Sequence, residues 1–307
     1  MKRMDRRKFL RQTATASSLV GLGAYPWEAL AGPKITKLTI LHTNDVHSRI
    51  DPFPMDGSRN EGLGGVARRS KLIGEIRAQE PNVLLLDSGD IFQGTPYFNF
   101  FGGELEIRLM SEMGYDATTI GNHDFDAGID GLVKQMPHAT FPFITCNYDF
   151  DQTLMRGKSE PFRVFERGGL KIGVLGVGIE LEGLVPKKSF DGTRYLNPVS
   201  SANATAHHLR NEEHCDYIIC LSHLGYKYET ERIDDIKFAR ASKNIDLILG
   251  GHTHTFMQQP ELISNTENKP VMINQVGWAG ILLGRIDVLF EKNAKNRCVT
   301  CQNLTVR

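Results

Sequence analysis

The sequence contains short polar blocks in which carboxylate, amide and imidazole side chains stand close together. Each block directly follows an apolar run that predicts a β-strand. In α/β folds the carboxyl ends of the strands carry the ligand-binding residues, so we expect these blocks to converge at one edge of a sheet. The blocks are Asp45-Val46-His47, Gly89-Asp90, Gly121-Asn122-His123-Asp124, Ser222-His223 and Gly250-Gly251-His252-Thr253-His254.

The residue types in these blocks are those that bind transition metals. Imidazole and carboxylate together suit Mn, Fe, Zn or Co, whereas Ca and Mg prefer oxygen ligands alone. In extended chain residues i and i+2 point the same way, so Asp45 and His47 can face one ion. His252 and His254 have the same spacing. Any single block is weak evidence, but together they offer too many candidate ligands for one four-coordinate ion, which suits two ions that share a carboxylate.

Strand-like and helix-like segments alternate along the chain, which is typical of an α/β layered domain. The predicted strands cover residues 37–41, 83–86, 118–120, 143–146, 171–177, 217–221, 245–249, 271–276, 281–290 and 297–306. The predicted helices cover residues 65–78, 103–113, 128–135, 200–213 and 230–241. No repeat and no Pro/Gly/Ser-rich linker divides residues 32–307, so we expect one domain there.

These blocks, in this order, resemble the motifs of the calcineurin-like metallophosphoesterase superfamily. The flanking sequences are similar to the 5′-nucleotidase branch in particular, with LTILHTNDVH at 38–47, LLDSGDIFQGTP at 85–96 and MGYDATTIGNHDFD at 113–126. The resemblance covers about residues 37–290. It implies an α/β fold of the four-layer αββα sandwich type.

The resemblance also implies a role for each candidate residue. It implies two divalent metal ions (Mn, Zn, Fe or Co), the first held by Asp45, His47 and His254, the second by Asn122, His223 and His252, with Asp90 bridging both. A hydroxide between the ions would attack phosphorus. His123 would be the positive or proton-donating group close to the transferring phosphoryl group and the leaving oxygen. Asp126 would orient His123. An alternative role for Asp126 is the N-cap of the helix predicted from residue 128, and both roles are compatible.

The implied function is an exported phosphohydrolase related to 5′-nucleotidases, acting on nucleotides or nucleotide derivatives. We expect residues 32–307 to be the catalytic domain alone, without the C-terminal nucleoside-binding domain that 5′-nucleotidases of this branch carry. A separately encoded partner would then supply that domain, or the enzyme is a generic phosphomonoesterase or phosphodiesterase, or its substrate differs. Two other functions stay open: a thiosulfohydrolase of the sulfur-oxidation type, and a non-catalytic metal-binding subunit of a two-chain nucleotidase.

The N-terminal residues have the three-part layout of an export signal. Six basic residues occur among the first eleven, a mildly apolar stretch covers 14–25, and Ala29-Leu30-Ala31 forms a small-residue cleavage site. Within the basic part, Arg6-Arg7-Lys8-Phe9-Leu10 resembles the twin-arginine motif. We therefore expect residues 1–31 to be a twin-arginine-type signal peptide and the protein to be exported to the periplasm.

The composition is that of an ordinary globular protein, with 36 basic residues, 36 acidic residues and 40% hydrophobic residues. A disordered protein would contain fewer apolar residues, and a nucleic-acid-binding protein usually has a basic excess, so neither class is expected. The longest uncharged run, residues 12–27, is too short and too polar for a stable membrane span. The expected partner is a nucleotide or another phosphate ester.

Five cysteines, an odd number, argue against a full disulfide framework. Cys298 and Cys301 have the spacing of a redox or metal motif, but they lie in a predicted terminal strand. We therefore expect a structural or incidental role for this pair.

Two groups of large side chains near the polar blocks have simple structural interpretations. Phe98, Phe100 and Phe101 are expected to pack in the core, with substrate contact as the alternative. Arg68 and Arg69, adjacent cations at a predicted helix start, are expected to be solvated.

Overall fold

Two mixed β-sheets lie at the centre of the protein, as seen in a computed structural model that describes residues 35–291 and 297–307. The predicted signal peptide, residues 1–31, lies outside the described residues. No helix within the described ranges is long and apolar enough to cross a membrane.

The first sheet contains, from edge to edge, β13 (Arg297–Thr305), β12 (Leu282–Glu291), β1 (Ile35–Thr43), β2 (Val83–Asp87) and β3 (Ala117–Thr118). The second contains β10 (Glu261–Ser264), β11 (Pro270–Asn274), β9 (Leu247–Gly250), β8 (Tyr217–Ser222), β6 (Leu170–Val177) and β5 (Phe162–Arg167). A small ribbon pairs β4 (Tyr148–Asp149) with β7 (Arg194–Tyr195). Strands β1, β2 and β3 are parallel, as are β6, β8, β9 and β11, so their carboxyl ends share an edge within each sheet.

The core between the sheets is built by alternate side chains of the inner strands, because successive strand residues point to opposite faces. Leu38 and Ile40 of β1 share this core with Ile219 of β8. On the outer faces, Leu41 of β1 belongs to one helix-covered core, and Ile218 of β8 belongs to the other.

Helices cover both outer faces. They are α1 (Val66–Gln79), α2 (Pro96–Phe101), α3 (Glu104–Met113) and α4 (Gly128–Gln135), then α5 (Pro198–Asn211) and α6 (Asp235–Ala241). Ile73 of α1 and Ile107 of α3 share a core with Leu85 of β2. Ala202 of α5 and Phe238 of α6 pack on the outer face of the second sheet. The layers therefore follow the order αββα, which confirms the predicted fold class.

One predicted strand, 143–146, forms only isolated bridges, from Phe143 to Thr118 and from Ile144 to Glu160. The segment crosses β6 at Gly176, where an added Cβ would lie 2.0 Å from the carbonyl oxygen of Ile144. This close crossing replaces regular strand pairing.

The helix predicted for 230–241 begins only at Asp235. The side chain of Asp234 accepts a hydrogen bond from the backbone N–H of Lys237 at 2.7 Å, which defines the N-terminus. The Lys237 ammonium then donates to the carbonyl oxygen of Thr230 at 2.7 Å and holds the preceding residues as a loop. Strands β5 and β10, the β4–β7 ribbon and the short helix α2 were not predicted.

Cys298 and Cys301 lie on β13, where residues three apart point to opposite faces. Cys301 packs against the core between the sheets, whereas Cys298 is exposed. The spacing therefore does not bring the two thiols to one site, and no cysteine in the described part of the chain forms a disulfide.

The expectations for large side chains near the blocks were wrong in part. Phe98 is buried, but Phe100 and Phe101 are 81% and 51% exposed, because only one face of the short helix α2 meets the core. Arg69 is only 2% exposed, because it lies with Val66 and Ile73 on the inner face of α1.

Candidate dinuclear metal centre

All five polar blocks meet where the parallel strands of the two sheets end. Each block lies at the end of a strand or shortly after it: β1, β2, β3, β8 and β9 lead into the blocks in chain order. Six of the seven predicted ligands form two clusters in which the ligand atoms lie within 4.8 Å of one another. The clusters are Asp45 with His47 and His254, and Asp90 with His223 and His252.

The first cluster places two imidazole nitrogens beside one carboxylate. Nε2 of His254 lies 3.3 Å from Oδ1 of Asp45 and 3.0 Å from Nε2 of His47. Nδ1 of His47 lies 3.1 Å from the carbonyl oxygens of Phe92 and Gln93, which assigns the ring proton to Nδ1 and leaves the Nε2 lone pair for a metal. Burial lowers the pKa of His47, which favours the neutral ring that binds metals.

The second cluster is organised in the same way. Nδ1 of His223 donates to the carbonyl oxygen of Ser88 at 2.7 Å, so Nε2 faces Oδ2 of Asp90 at 3.1 Å. Nδ1 of His252 lies 2.7 Å from Oδ1 of Asn122, the seventh predicted ligand, which therefore joins this cluster. Burial lowers the pKa of His252 to about 3 and keeps its ring neutral.

The chemistry of the second cluster fits a bound cation. Nε2 of His223 is buried and makes no hydrogen bond within the described residues, although it forms an ion pair with Oδ2 of Asp90 at 3.1 Å, and a divalent ion would satisfy both atoms. Burial opposes charge on both Asp90 and His223. Their mutual attraction nevertheless holds the pKa of Asp90 well below its usual range and raises the pKa of His223. A divalent ion would supply the same positive charge without a proton.

Asp90 lies between the two clusters. Its Oδ2 is 3.1 Å from Nε2 of His223 and 3.8 Å from Nε2 of His47. A carboxylate has two oxygens on one carbon and can therefore bind two ions at once. The position of Asp90 is the one that a bridging ligand requires.

The backbone at the candidate ligands is unusual. Left-handed φ angles between 50° and 70° occur at Asp45, His47, Asp90, His252 and His254. Such angles cost about 1 kcal/mol or more at a residue other than glycine, and they persist where the surroundings force them. Gly121 permits the close approach of strand ends here, since an added Cβ would lie 2.2 Å from Oδ1 of Asp90.

Asp124 organises the Asp90 loop, although sequence analysis assigned it no role. Its carboxylate accepts hydrogen bonds from the backbone N–H groups of Asp90 at 3.1 Å, Ile91 at 2.9 Å and Gly121 at 2.8 Å. A pattern of backbone donors of this kind depends on tertiary contacts between two loops. The sequence therefore carried no signal for it beyond the presence of a carboxylate.

His123 and Asp126 lie together at the mouth of the site. Nδ1 of His123 is 2.8 Å from Oδ2 of Asp126, and this hydrogen bond raises the pKa of His123. The imidazole ring lies 5.2 Å from the ring of His47, measured between centroids. Asp126 does not cap α4, whose N-cap is Ala127 without a side-chain hydrogen bond, so the alternative interpretation of Asp126 was wrong.

A cavity of about 500 Å³ opens onto the first cluster and His123. Its lining residues are His47, Gln93, Gly94, Thr95, Pro96, Asn99, His123, His254 and Trp278. The indole of Trp278 stacks on the His254 ring, with centroids 5.7 Å apart and planes inclined by 6°. Neither Trp278 nor Asn99 was predicted from the sequence: Trp278 comes from a segment remote from the polar blocks, and Asn99 lies in an aromatic stretch that was expected to pack in the core.

Comparison with known proteins identifies the family. A snake venom 5′-nucleotidase of Gloydius brevicauda is 34% identical over 275 residues, covering 83% of this chain and 45% of that protein. A 5′-nucleotidase of Vibrio cholerae is 30% identical over 313 residues, covering 94% of this chain and 55% of that protein. The crystal structure of a 5′-nucleotidase precursor from Thermus thermophilus has a TM-score of 0.81 and 30% identity, covering 88% of this chain and 55% of that one.

The chain spans about half the length of the curated relatives it matches. These relatives are 5′-nucleotidases, and each of the two His–carboxylate clusters of this chain could hold a divalent metal ion. The sequence pattern of calcineurin-like phosphoesterases matches residues 38–256, which contain every strand end of the candidate site, and the chain therefore belongs to the calcineurin-like phosphoesterase family.

Proposed function

We propose that this protein hydrolyses phosphate esters of nucleotides or nucleotide derivatives with two bound divalent ions. The observation that carries the proposal is the meeting of two ligand clusters around Asp90, beside a cavity that exposes His123. Nucleotide choice is supported by the 5′-nucleotidases among the relatives.

The ligand set that we propose is the one implied by the family resemblance. Asp45, His47 and His254 hold one ion, Asn122, His223 and His252 hold the other, and Asp90 is shared. This mixture of imidazole, carboxylate and amide suits Mn, Zn, Fe or Co. When bound, the two ions supply positive charge to the phosphoryl oxygens and lower the pKa of the attacking water.

His123 is the proposed catalytic residue of the chain itself. With Nδ1–H donated to Asp126, Nε2 is left facing the cavity, and the raised pKa favours the imidazolium form. An Nε2–H at this place can donate a hydrogen bond or a proton to the oxygen on which charge develops as the ester bond breaks. Asp126 acts as a positioning residue for that ring.

We further propose that residues 1–31 are an export signal, that the protein acts in the periplasm, and that residues 32–307 are the catalytic domain. We propose a separately encoded nucleoside-binding protein as a partner at the cavity. Phe100 and Phe101, exposed on α2 near the cavity, support a partner at this face.

The test is phosphate release by the purified protein with added Mn²⁺, using AMP, UDP-glucose, 2′,3′-cyclic AMP and p-nitrophenyl phosphate. Preference for a nucleotide supports the full proposal. Turnover of p-nitrophenyl phosphate alone supports phosphoester hydrolysis and overturns nucleotide choice by this chain on its own. Inactivity on all four, with two ions bound, would sink the proposal in favour of a thiosulfohydrolase or a non-catalytic metal-binding subunit.

A further inference from the structure

The loop between β9 and β10 carries one candidate ligand of each cluster, and it needs a support. His252 contributes to the second cluster and His254 to the first, both with left-handed φ angles, 70° and 52°. Conformations of this kind persist only where neighbouring groups determine them. A side chain that holds residues 251–255 would therefore influence both metal sites at once.

The geometry points to Gln275 as the residue that positions this loop for both ions, an inference that rests on the proposed function. Gln275 directly follows β11 and is fully buried. Its Nε2 donates to the carbonyl oxygen of Gly251 at 2.5 Å. Its Oε1 accepts a hydrogen bond from Oγ1 of Thr253 at 3.1 Å and another from the backbone N–H of Thr255.

These three hydrogen bonds bracket the two histidines. Gly251 lies just before His252, Thr253 lies between the histidines, and Thr255 lies just after His254. The primary amide is the group that can donate at one end and accept at the other, and it does both here. One buried side chain thereby fixes the loop at both ends and in the middle.

Backbone hydrogen bonds near Gln275 do not replace this role. The N–H of Gly277 bonds the carbonyl oxygen of Thr255 at 3.0 Å, and the N–H of Met257 bonds the carbonyl oxygen of Gln275 at 3.3 Å. Both bonds lie after the two candidate ligands. Between the histidines, Thr253 Oγ1 also accepts a hydrogen bond from the backbone N–H of Tyr226 at 2.9 Å, so the support extends to the segment that follows His223.

Gln275→Met is the decisive variant, because it keeps the length and volume of the side chain while removing all three hydrogen bonds. Asn265→Leu is the matched control. Asn265 is another buried amide, and its Oδ1 accepts from the backbone N–H groups of Glu267 at 2.9 Å and Lys269 at 3.0 Å, in the β10–β11 turn. Both variants lose buried hydrogen bonds, but only one loses them beside the ligands.

The measurements are calorimetric titration of metal-free protein with Mn²⁺, the visible spectrum of the Co²⁺ form and the melting temperature. We expect Gln275→Met to weaken Mn²⁺ binding at both sites by about 10–100-fold, as is usual when groups behind metal ligands are removed. Its Co²⁺ spectrum should change, because both histidines move. Asn265→Leu should lower the melting temperature while leaving affinity and spectrum unchanged.

A Gln275→Met protein with a lower melting temperature but wild-type Mn²⁺ affinity and a wild-type Co²⁺ spectrum would overturn the inference. Gln275 would then contribute to folding stability alone. If that variant does not fold, Thr253→Val, which removes the hydroxyl that bonds Gln275 and Tyr226 while keeping the shape of the side chain, is titrated in its place. Unchanged affinity there would overturn the inference equally. Wild-type protein that binds no ions would instead refute the proposed function, and this inference with it, before any variant is compared.

Discussion

The two ligand clusters differ in their access to solvent. In the first, the side chain of His254 is 40% exposed, and His47 and His254 both line the cavity. In the second, the side chains of Asp90 and His223 are 1% and 0% exposed. One cluster therefore opens to substrate and solvent, while the other lies largely within the protein, where charges interact more strongly.

Ions bound in the two clusters would therefore have different roles. An ion in the open cluster would exchange with solvent and meet the substrate beside His123. An ion in the buried cluster would supply the positive charge that stabilises the buried carboxylate of Asp90. Because Asp90 is the proposed shared ligand, its removal should affect both sites, whereas removal of a residue on one side should affect that site alone.

Asp90→Asn should have the largest effect, because the amide cannot bridge two cations. Loss of both ions would remove several kcal/mol of transition-state stabilisation, an activity loss of about 10³-fold or more. Elemental analysis of the purified variant should show less than one ion per chain. The matched control is Asp87→Asn, whose oxygens bond Thr43, Gly89 and Thr118 instead of either cluster. Two retained ions in Asp90→Asn would contradict a shared carboxylate.

His123→Ala tests the open side without removing a ligand. We expect two bound ions and an activity loss of roughly 10²–10⁴-fold, the usual contribution of a positioned proton donor. Asp126→Asn should lose less, because the ring stays in place. His138→Ala is the control, since His138 lies beside Glu104, away from both clusters. The substrate must be AMP or another ester with a poor leaving group, because p-nitrophenolate leaves without a proton donor. Full activity of His123→Ala on AMP would refute the role of His123 as a proton donor.

His223→Ala and His254→Ala compare the two sides directly. Without metal, removing His223 leaves the buried Asp90 carboxylate without its partner and should lower the free energy of unfolding by about 3 kcal/mol. Removing the partly exposed His254 should lower it by about 1 kcal/mol or less. Urea denaturation of the metal-free proteins checks both values. Equal losses would mean that the difference in burial has no energetic consequence.

Gly121→Ala tests the close approach of the strand ends at Asp90. The added methyl would lie 2.2 Å from Oδ1 of Asp90, so the strand ends must separate at a cost of about 1–3 kcal/mol. Thermal melting and Mn²⁺ titration would detect the shift. Gly74→Ala is the control, because its position on α1 has open space and the change should be neutral or slightly stabilising. A Gly121→Ala protein with unchanged melting and affinity would show that Asp90 has room to move.

Much of the fold followed from local patterns. Apolar runs such as 217–221 and 171–177 predicted strands because a strand buried on both faces has no polar side. The segment 143–146 has the same apolar character, yet it crosses the sheet at Gly176 and does not pair regularly. Whether this segment pairs as a strand depends on how closely another chain segment approaches it, and no local sequence pattern encodes that.

The candidate site divides in the same way. The family resemblance named seven candidate ligands, and the structure brings them close together because parallel strands carry them to one edge. The supports behind them were not predicted. Asp124 acts on the Asp90 loop, and Gln275 acts on a loop that is remote in sequence, about twenty residues earlier.

The candidate ligand chemistry, the α/β class and the edge where the candidate ligands meet could be predicted from the sequence, because they depend on side-chain type and strand direction. Which cluster is open, how far Asp90 lies from each histidine, and the presence of Trp278 and Asn99 in the cavity wall became known from the structure. Burial and distance between remote segments arise when two sheets and their connecting loops pack together, so they are properties of the assembled chain and not of any stretch of it.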